Sequence, residues 1–388
     1  VRVALIAETF LPDVNGVAAT VCRILEQLQA AGHAALLFAP AGSPPTYAGA
    51  EVVALKGAAF PLYPDVRMTP PQLGIARRLR EFRPDVLHVV GPILVGALGP
   101  GLGRSLGVPV ISSYHTHLGD YTHHYGIGFL SRGVNAYLRW IHNRTSVTLC
   151  PSTDTINTLK ARGFGRLALW GRGVDTDRFA PGYRRTSWRD ALGARPDDVV
   201  LLYVGRLAAE KRLDVIADAL SGLERVRLVL VGDGPARQVL ERRFRGLPVA
   251  FTGFKRGREL SEAYASADVF VFPSDTDTFG QVIQEAMASA LPVVAARAGG
   301  AVDLVADGET GLLFAPNNAP ELQARLRRLA ADSRLRRAMG QAGRVAAERR
   351  SWPAVVGELV DYYRQAIAEA PAREARSNVY ARSAREAE

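Results

Sequence analysis

The chain has 388 residues, enough for two domains of ordinary size, and its 48% apolar and 22% charged residues are those of a soluble globular protein. Lys and Arg number 48 against 38 Asp and Glu, a net charge of +10. That excess favours acidic partners such as nucleotides, anionic membrane surfaces or nucleic acid, or else reflects an Arg-rich, Ala-rich composition with no partner behind it. Cys22 and Cys150 lie far apart in apolar surroundings, which excludes a disulfide framework and implies buried thiols.

Val1–Ala7 is a strand-like apolar run that begins at once, so no secretory leader is expected. A loop ending at Gly16 and a helix near Val17–Ala31 follow. Ala34–Ala39 and Glu51–Ala54 are expected as strands. Pro70 and Pro71 precede helical spacing over Gln72–Phe82, and Asp85–Val90 and Val108–Ser113 are again β-rich. Val86–Gly103 lacks formal charge, but its repeated Gly and Pro predict a strand, a turn and a short helix rather than a membrane span. The pattern restarts after a loop at Trp170–Arg185. Strands are expected at Val199–Gly205, Val226–Gly232, Val249–Gly253, Asp268–Phe272 and Pro292–Ala296, with helices between them and one beginning near Lys211. Strands alternating with helices imply βαβ units and parallel sheets, so the chain holds two doubly wound units in tandem. The domains are expected at 1–175 and 176–351. A long helix over 352–369 should cross back to the first domain, and the charged tail 370–388 should be disordered.

In such sheets ligands bind beyond the carboxyl ends of the strands, near helix N-termini. Five places qualify. In Glu8–Gly16, Gly16 permits close approach of a phosphate, or serves an ordinary turn or N-cap. No G-x-G-x-x-G follows the first strand, which disfavours a Rossmann oxidoreductase. In Gly205–Arg212, Arg206 stands at a strand end and Lys211 at a helix start. Cations avoid helix N-termini, so the pair makes sense if an anion such as a diphosphate binds between them; a solvated basic loop is the alternative. The third place, Ser274–Gly280, runs into a helix carrying Glu285, whose carboxylate can accept hydrogen bonds from vicinal sugar hydroxyls, or is an ordinary exposed helical Glu, a reading its apolar neighbours disfavour. Asp277 sits in the loop before it. Gly299-Gly300 is either another close-approach site or simply a loop. Finally, His115 follows a first-domain strand and suits hydrogen bonding to a substrate. His117, His123 and His124 nearby lack the geometry of a metal site.

Taken together, Gly205-Arg-Leu-Ala-Ala-Glu-Lys-Arg212, Val231-Gly-Asp-Gly-Pro235, Ser274–Ser289 and Pro292–Gly300 resemble the retaining nucleotide-sugar glycosyltransferases of family 4, with the GT-B fold. Trp170–Asp175 and Ser112–His117 are most similar to bacterial GDP-mannose-dependent mannosyltransferases and the sulfoquinovosyl-diacylglycerol synthase branch. The resemblance implies two Rossmann-like domains facing across a cleft, the first for acceptor and the second for donor. Arg206 and Lys211 then match the residues that bind the donor diphosphate and stabilise it as a leaving group. Glu285 matches the second acid of the E-x7-E motif, which holds the ribose; Asp277 replaces the more common Glu at the first and would contact the transferred sugar. Backbone groups of Phe279, Gly280 and Gln281 would lie near sugar and phosphates, and Lys255 near the base. Gly16 matches the first-domain loop that approaches the donor, and His115 the histidine beside the reacting sugar.

Bond cleavage leaves negative charge on the diphosphate, so preorganised cations suffice, and neither metal nor cofactor is expected. The donor is expected to be GDP-mannose or a UDP-hexose, and nucleic acid is not a partner. Thr122–Arg144 mixes Tyr125, Phe129, Tyr137 and Trp140 with Arg132, Arg139 and Arg144, as an interfacial helix would, or as an ordinary helix with a buried aromatic face. With the net charge it favours a lipid acceptor and a cytoplasmic protein peripheral on an anionic membrane. A soluble acceptor is the alternative. The cluster Arg77, Arg78, Arg80 and Arg83 is expected as a solvated face.

Overall fold

The computed structural model describes residues 1–13, 15–60, 63–68, 72, 74–115 and 131–370, the side chains of 58–60 and 63–68 excepted. The prolines at 70 and 71, the histidines at 117, 123 and 124, the aromatics at 125 and 129, and the tail beyond 370 lie outside them. The chain divides into two compact units. Unit 1 is Val1–Gly171 with Val355–Glu388, and unit 2 is Arg172–Ala354.

Unit 1 contains β1 (Arg2–Ala7), β2 (Ala34–Pro40), β3 (Thr46–Tyr47), β4 (Ala50–Leu55), the antiparallel pair β5 (Ala58–Phe60) and β6 (Tyr63–Met68), β7 (Val86–Val90), β8 (Val110–Ser113), β9 (Val147–Cys150) and β10 (Leu167–Leu169). All but β5 and β6 form one sheet, in the order β10-β9-β8-β7-β1-β2-β4-β3, parallel except for β3. The central strands are apolar runs because both faces are covered: every residue of β7 is buried, as is all of β1 after Arg2. The helix Gly16–Ala30 buries Val21, Ile24, Leu25 and Leu28 at helical spacing. Val86–Gly103 forms a strand, a turn and a helix over Gly99–Leu106, as its Gly and Pro content predicts. The last helix, Trp352–Glu369, delivers Tyr363 into unit 1, and Trp170 Nε1 donates to the Val355 carbonyl at 2.9 Å. Both cysteines are free and buried, and burial raises their thiols, Cys150 to about 12.

Unit 2 contains β11 (Val199–Val204), β12 (Val226–Val231), β13 (Val249–Gly253), β14 (Val269–Phe272), β15 (Val293–Ala296) and β16 (Gly311–Phe314). They form a parallel sheet in the order β13-β12-β11-β14-β15-β16. Side chains along β11 alternate between two apolar layers: Val199, Leu201 and Tyr203 pack on one face, and Val200, Leu202 and Val204 on the other. Chain order reverses between β11 and β14, so the loops after those two strands border the crevice that doubly wound sheets use for ligands. The equivalent reversal in unit 1 falls between β1 and β7.

The strands β3, β5, β6, β9, β10 and β16 were not among the sequence expectations; all but β6 have four residues or fewer, which leaves little periodic signal. The basic cluster of the helix Gly74–Phe82 is not merely solvated, because Arg78 pairs with Glu51 and Glu81.

At the start of β14, Asp268 accepts from Val200 N (2.9 Å), Arg189 (2.7 Å) and Arg184 (2.9 Å). Burial pushes its carboxyl up, but these donors outweigh burial and hold it below the usual range. Asp268→Asn should therefore cost about 3 kcal/mol near neutral pH, because it strands the buried Arg189 guanidinium. A depressed carboxyl stabilises fully above its unfolded value, and that contribution is lost as pH falls through the lower folded one. Wild-type and variant urea midpoints should therefore converge as pH falls below about 4.

Candidate active site

The site in unit 2 is built on the two loops at the strand-order reversal. After β11, the Tyr203 hydroxyl donates to the Arg206 carbonyl at 3.1 Å and holds the loop's start. A single 3-10 turn, Ala209–Lys211, follows. Lys211 is thus not the first residue of the helix, as the sequence suggested. Arg212, with φ 53° in the left-handed region, stands at the N-cap of the helix Leu213–Leu220 and breaks the turn from it.

After β14, the loop reaches the helix Gln281–Ala288 through Gly280, whose φ of 85° at the N-cap suits glycine. Its position is set by Gly299-Gly300. A Cβ at Gly299 would stand 2.3 Å from the Asp277 carbonyl oxygen, and one at Gly300 would stand 2.2 Å from that of Phe279. Gly300 N also donates to the Asp277 carbonyl at 3.0 Å. This glycine pair therefore serves close approach to the chain's own Asp277–Phe279 backbone.

The side chains converge across these loops. Lys211 Nζ donates to both carboxylate oxygens of Asp277, at 2.7 and 2.8 Å, and Arg206 pairs with Glu210 at 2.6 Å. The Lys211 side chain is 19% exposed and that of Arg206 55%, so the first pair lies in the lower dielectric and is the stronger contact. Both cations thus hold carboxylates within the loops themselves, rather than standing as a bare basic pair.

Glu285, half-buried on the Gln281–Ala288 helix, accepts from the Tyr264 hydroxyl at 2.8 Å. Burial pushes its carboxyl up to about 7, against the opposing pull of Tyr264 and of Arg178's charge. Phe279 is buried, and the Arg172 guanidinium lies 5.8 Å from its ring centroid. Burial lowers Arg172 to about 10, against the pull of Asp277. Gln281 Nε2 donates to the Gly173 carbonyl at 2.9 Å, which ties the helix start to the Arg172 segment. Among the described residues, Nε of Arg172 and of Arg178 and Oε1 of Gln281 have no hydrogen-bond partner. Arg172, Arg178, Arg206 and Lys211 therefore face Asp277, Glu210 and a partly neutral Glu285, a balance that leaves room for an anion.

Lys255 is not in this cluster. It follows the edge strand β13, two strands from β11, and its Nζ contacts Glu259 at 3.3 Å. Sequence reasoning did not single out Arg172, Arg178 or Tyr264. Arg172 sits in the quoted Trp170–Asp175 segment, where an arginine between two glycines was the available signal.

In unit 1, Gly16 is the first residue of its helix and is exposed. Asn15 caps it, its Oδ1 accepting from Val17 N and Ala18 N. His115 is buried at the end of β8, with Nε2 2.8 Å from Ser113 Oγ. Glu8, which only opened the quoted loop, joins the loops after β1 and β7: its Oε1 accepts from the backbone N–H of Ile93, Leu94 and Gly96. Among the described residues no group of three or more His, Cys, Asp or Glu could hold a metal.

Comparison with known proteins agrees with this architecture. Residues 14–178 match the family described as Glycosyltransferase Family 4, and residues 184–346 match Glycosyl transferases group 1. The chain belongs to this family: it is a glycosyltransferase with the GT-B fold. Among its relatives, the GDP-mannose-dependent alpha-mannosyltransferase of Mycobacterium tuberculosis is 41% identical, over 94% of this chain and 96% of that protein. The sulfoquinovosyl transferase of Arabidopsis thaliana is 36% identical, over 82% and 64%. The alpha-monoglucosyldiacylglycerol synthase of Streptococcus pneumoniae is 27% identical, over 81% and 75%. The crystal structure of Anabaena HepE with UDP shares the fold, with a TM-score of 0.76 at 19% identity over 94% of this chain and all of that one.

The Glu285 environment predicts an unusual pH dependence of the ligand-free protein. A carboxyl at about 7 when folded and about 4.3 when unfolded opposes folding above the lower value, and fully above the higher. Glu285→Gln should raise stability at pH 8 by on the order of 2 kcal/mol, a gain that vanishes near pH 4; thermal melts across that range measure it.

Proposed function

We propose that this chain transfers a hexose, mannose in the first instance, from GDP-mannose or a related nucleotide-diphosphate sugar to a lipid-linked acceptor, with retention of anomeric configuration and without a metal. The observation that carries this reading is the Lys211–Asp277 pair, set beside Arg206 and Arg172 at the strand-order reversal of unit 2. A donor diphosphate competes with Asp277 for Lys211. Once Lys211 turns to the phosphates, Asp277 is free to accept from a hydroxyl of the sugar. Arg206 adds a bidentate fork for the phosphates. As the glycosyl–phosphate bond breaks, negative charge accumulates on the diphosphate where these cations already stand, the role a divalent metal would otherwise fill. Glu285 accepts from the ribose hydroxyls, backbone of Phe279, Gly280 and Gln281 lines the sugar and phosphates, and Lys255 serves the base. Gly16 and His115 supply the contribution of unit 1. Retention follows if the acceptor enters on the face the diphosphate leaves, with a phosphate oxygen taking its proton.

The names of the mannosyltransferase and diacylglycerol-synthase relatives support this donor and acceptor. So does the helix Ser131–His142, which exposes Tyr137 and Trp140, with the Arg144 guanidinium 4.3 Å from the Trp140 ring centroid and Arg132 and Arg139 beside them. Exposed aromatics among arginines suit the headgroup region of an anionic bilayer, and a peripheral position on the cytoplasmic face follows. Among the described residues no helix is long and apolar enough to cross a membrane.

Lys211→Ala should lower kcat by about a thousandfold or more while the melting temperature changes little; near-normal turnover would remove its role. GDP at a hundredfold excess over its Kd should stabilise the protein by about 2.7 kcal/mol and UDP at the same concentration by less, and a larger shift with UDP would reverse the donor assignment. EDTA should leave turnover unchanged. Proton NMR of the product should give the donor's anomeric configuration. Sedimentation with anionic vesicles should deplete the protein at low salt and release it at high salt, whereas a soluble-acceptor enzyme stays in the supernatant.

A further inference from the structure

Behind His115 runs a chain of buried polar groups that the transfer chemistry does not use. His88 on β7 is fully buried, with Nδ1 2.7 Å from the hydroxyl of Tyr363 and Nε2 3.0 Å from Ser113 Oγ. Ser113 Oγ in turn lies 2.8 Å from His115 Nε2. Tyr363 comes from the last helix, and His88, Ser113 and His115 come from the adjacent strands β7 and β8 and the residues just beyond.

The direction of these hydrogen bonds follows from proton counting. Burial lowers His88 to about 3 and raises the Tyr363 phenol well above its ordinary value, so His88 carries one ring proton and Tyr363 keeps its own. Among the described residues, the Tyr363 hydroxyl has His88 Nδ1 as its hydrogen-bond partner. If it donates there, the His88 proton sits on Nε2 and is donated to Ser113 Oγ. The Ser113 hydroxyl then donates to His115 Nε2, and the Tyr363, His88 and Ser113 protons each have an acceptor. Running the chain the other way leaves the buried Tyr363 O–H without one, a bias of about tenfold or more against that arrangement.

We propose that Tyr363, His88 and Ser113 are positioning residues that hold His115 in the tautomer with its proton on Nδ1, so that it meets the donor sugar as a hydrogen-bond donor and not as a general base. This rests on the placement of His115 beside the reacting sugar. It gives the last helix a chemical task in addition to packing, because the hydroxyl that polarises the chain is its own. No proton is transferred along the chain during turnover.

The tautomer is read directly from long-range ¹H–¹⁵N spectra of the full chain labelled with ¹⁵N-histidine, near pH 7. His115→Asn identifies the His115 signals. The expected wild-type result is a protonated Nδ1 and bare Nε2 on His115, with the reverse on His88. In Tyr363→Phe the His115 signals should move toward a mixture of tautomers, and kcat should fall about tenfold with little change in donor KM. A protonated Nε2 on wild-type His115, or Tyr363→Phe signals identical to wild type, would overturn the proposal. The wild-type spectrum decides even where Tyr363→Phe fails to fold, and a purely structural chain would leave the turnover of a folded Tyr363→Phe unchanged. Normal turnover in His115→Asn would instead overturn the placement of His115 beside the sugar, whatever tautomer the spectra give.

Discussion

The ammonium of Lys211 against the carboxylate of Asp277 is the contact on which the unit 2 site depends. Neither group is deep enough to need the other for folding, because both side chains keep contact with solvent. The pair also spans the two loops that flank the strand-order reversal, so it joins β11 and β14 at their carboxyl ends. An ion pair of this kind is exchangeable: an anion of higher charge can take the ammonium, and a hydroxyl can take the carboxylate. The backbone beneath is not exchangeable, because Gly299 and Gly300 press against the Asp277–Phe279 carbonyls with no room for a side chain. Rigid support under a replaceable contact suits a ligand that must be gripped and then released as two pieces.

Around that pair, buried polar groups are held at some cost. Glu285 is pushed toward neutrality, Arg172 loses part of its basicity, and nitrogens of Arg172 and Arg178 remain without partners among the described residues. Such groups are expensive in a fold whose layers are otherwise apolar. A nucleotide sugar offers what each lacks: hydroxyl donors for the carboxylates and phosphate oxygens for the guanidinium groups. In unit 1 Glu8 and His88 are satisfied instead. Glu8 collects three backbone N–H groups, and His88 closes a continuous chain from Tyr363 to Ser113. Saturation there fixes geometry, and incompleteness in unit 2 leaves capacity for a ligand.

Much of this was legible before any coordinates. Apolar runs such as Val199–Val204 between turn signals read as buried strands, their alternation with helices implied parallel sheets, and Trp352–Glu369 was delimited by its helical spacing. The loops bearing Arg206, Lys211, Asp277 and Glu285 stood out because charged residues at strand ends contradict local preference unless something compensates them. The residues that escaped notice are those whose meaning comes from neighbours distant in the chain. Tyr264 and Glu285 meet across two elements, His88 and Tyr363 are linked from opposite ends of the sequence, and Arg172 becomes significant only beside Phe279.

Local chemistry therefore determined the alternation of strands and helices, the doubly wound character of both units, and which loops carry charge, because periodicity and end effects act over a few residues. Tertiary structure alone decided the strand order that brings the β11 and β14 loops together, the Lys211–Asp277 pairing, the elevated carboxyl of Glu285 and the polar chain behind His115. Those depend on burial and on distances between remote segments, and both arise only when the sheet has closed its layers and excluded water.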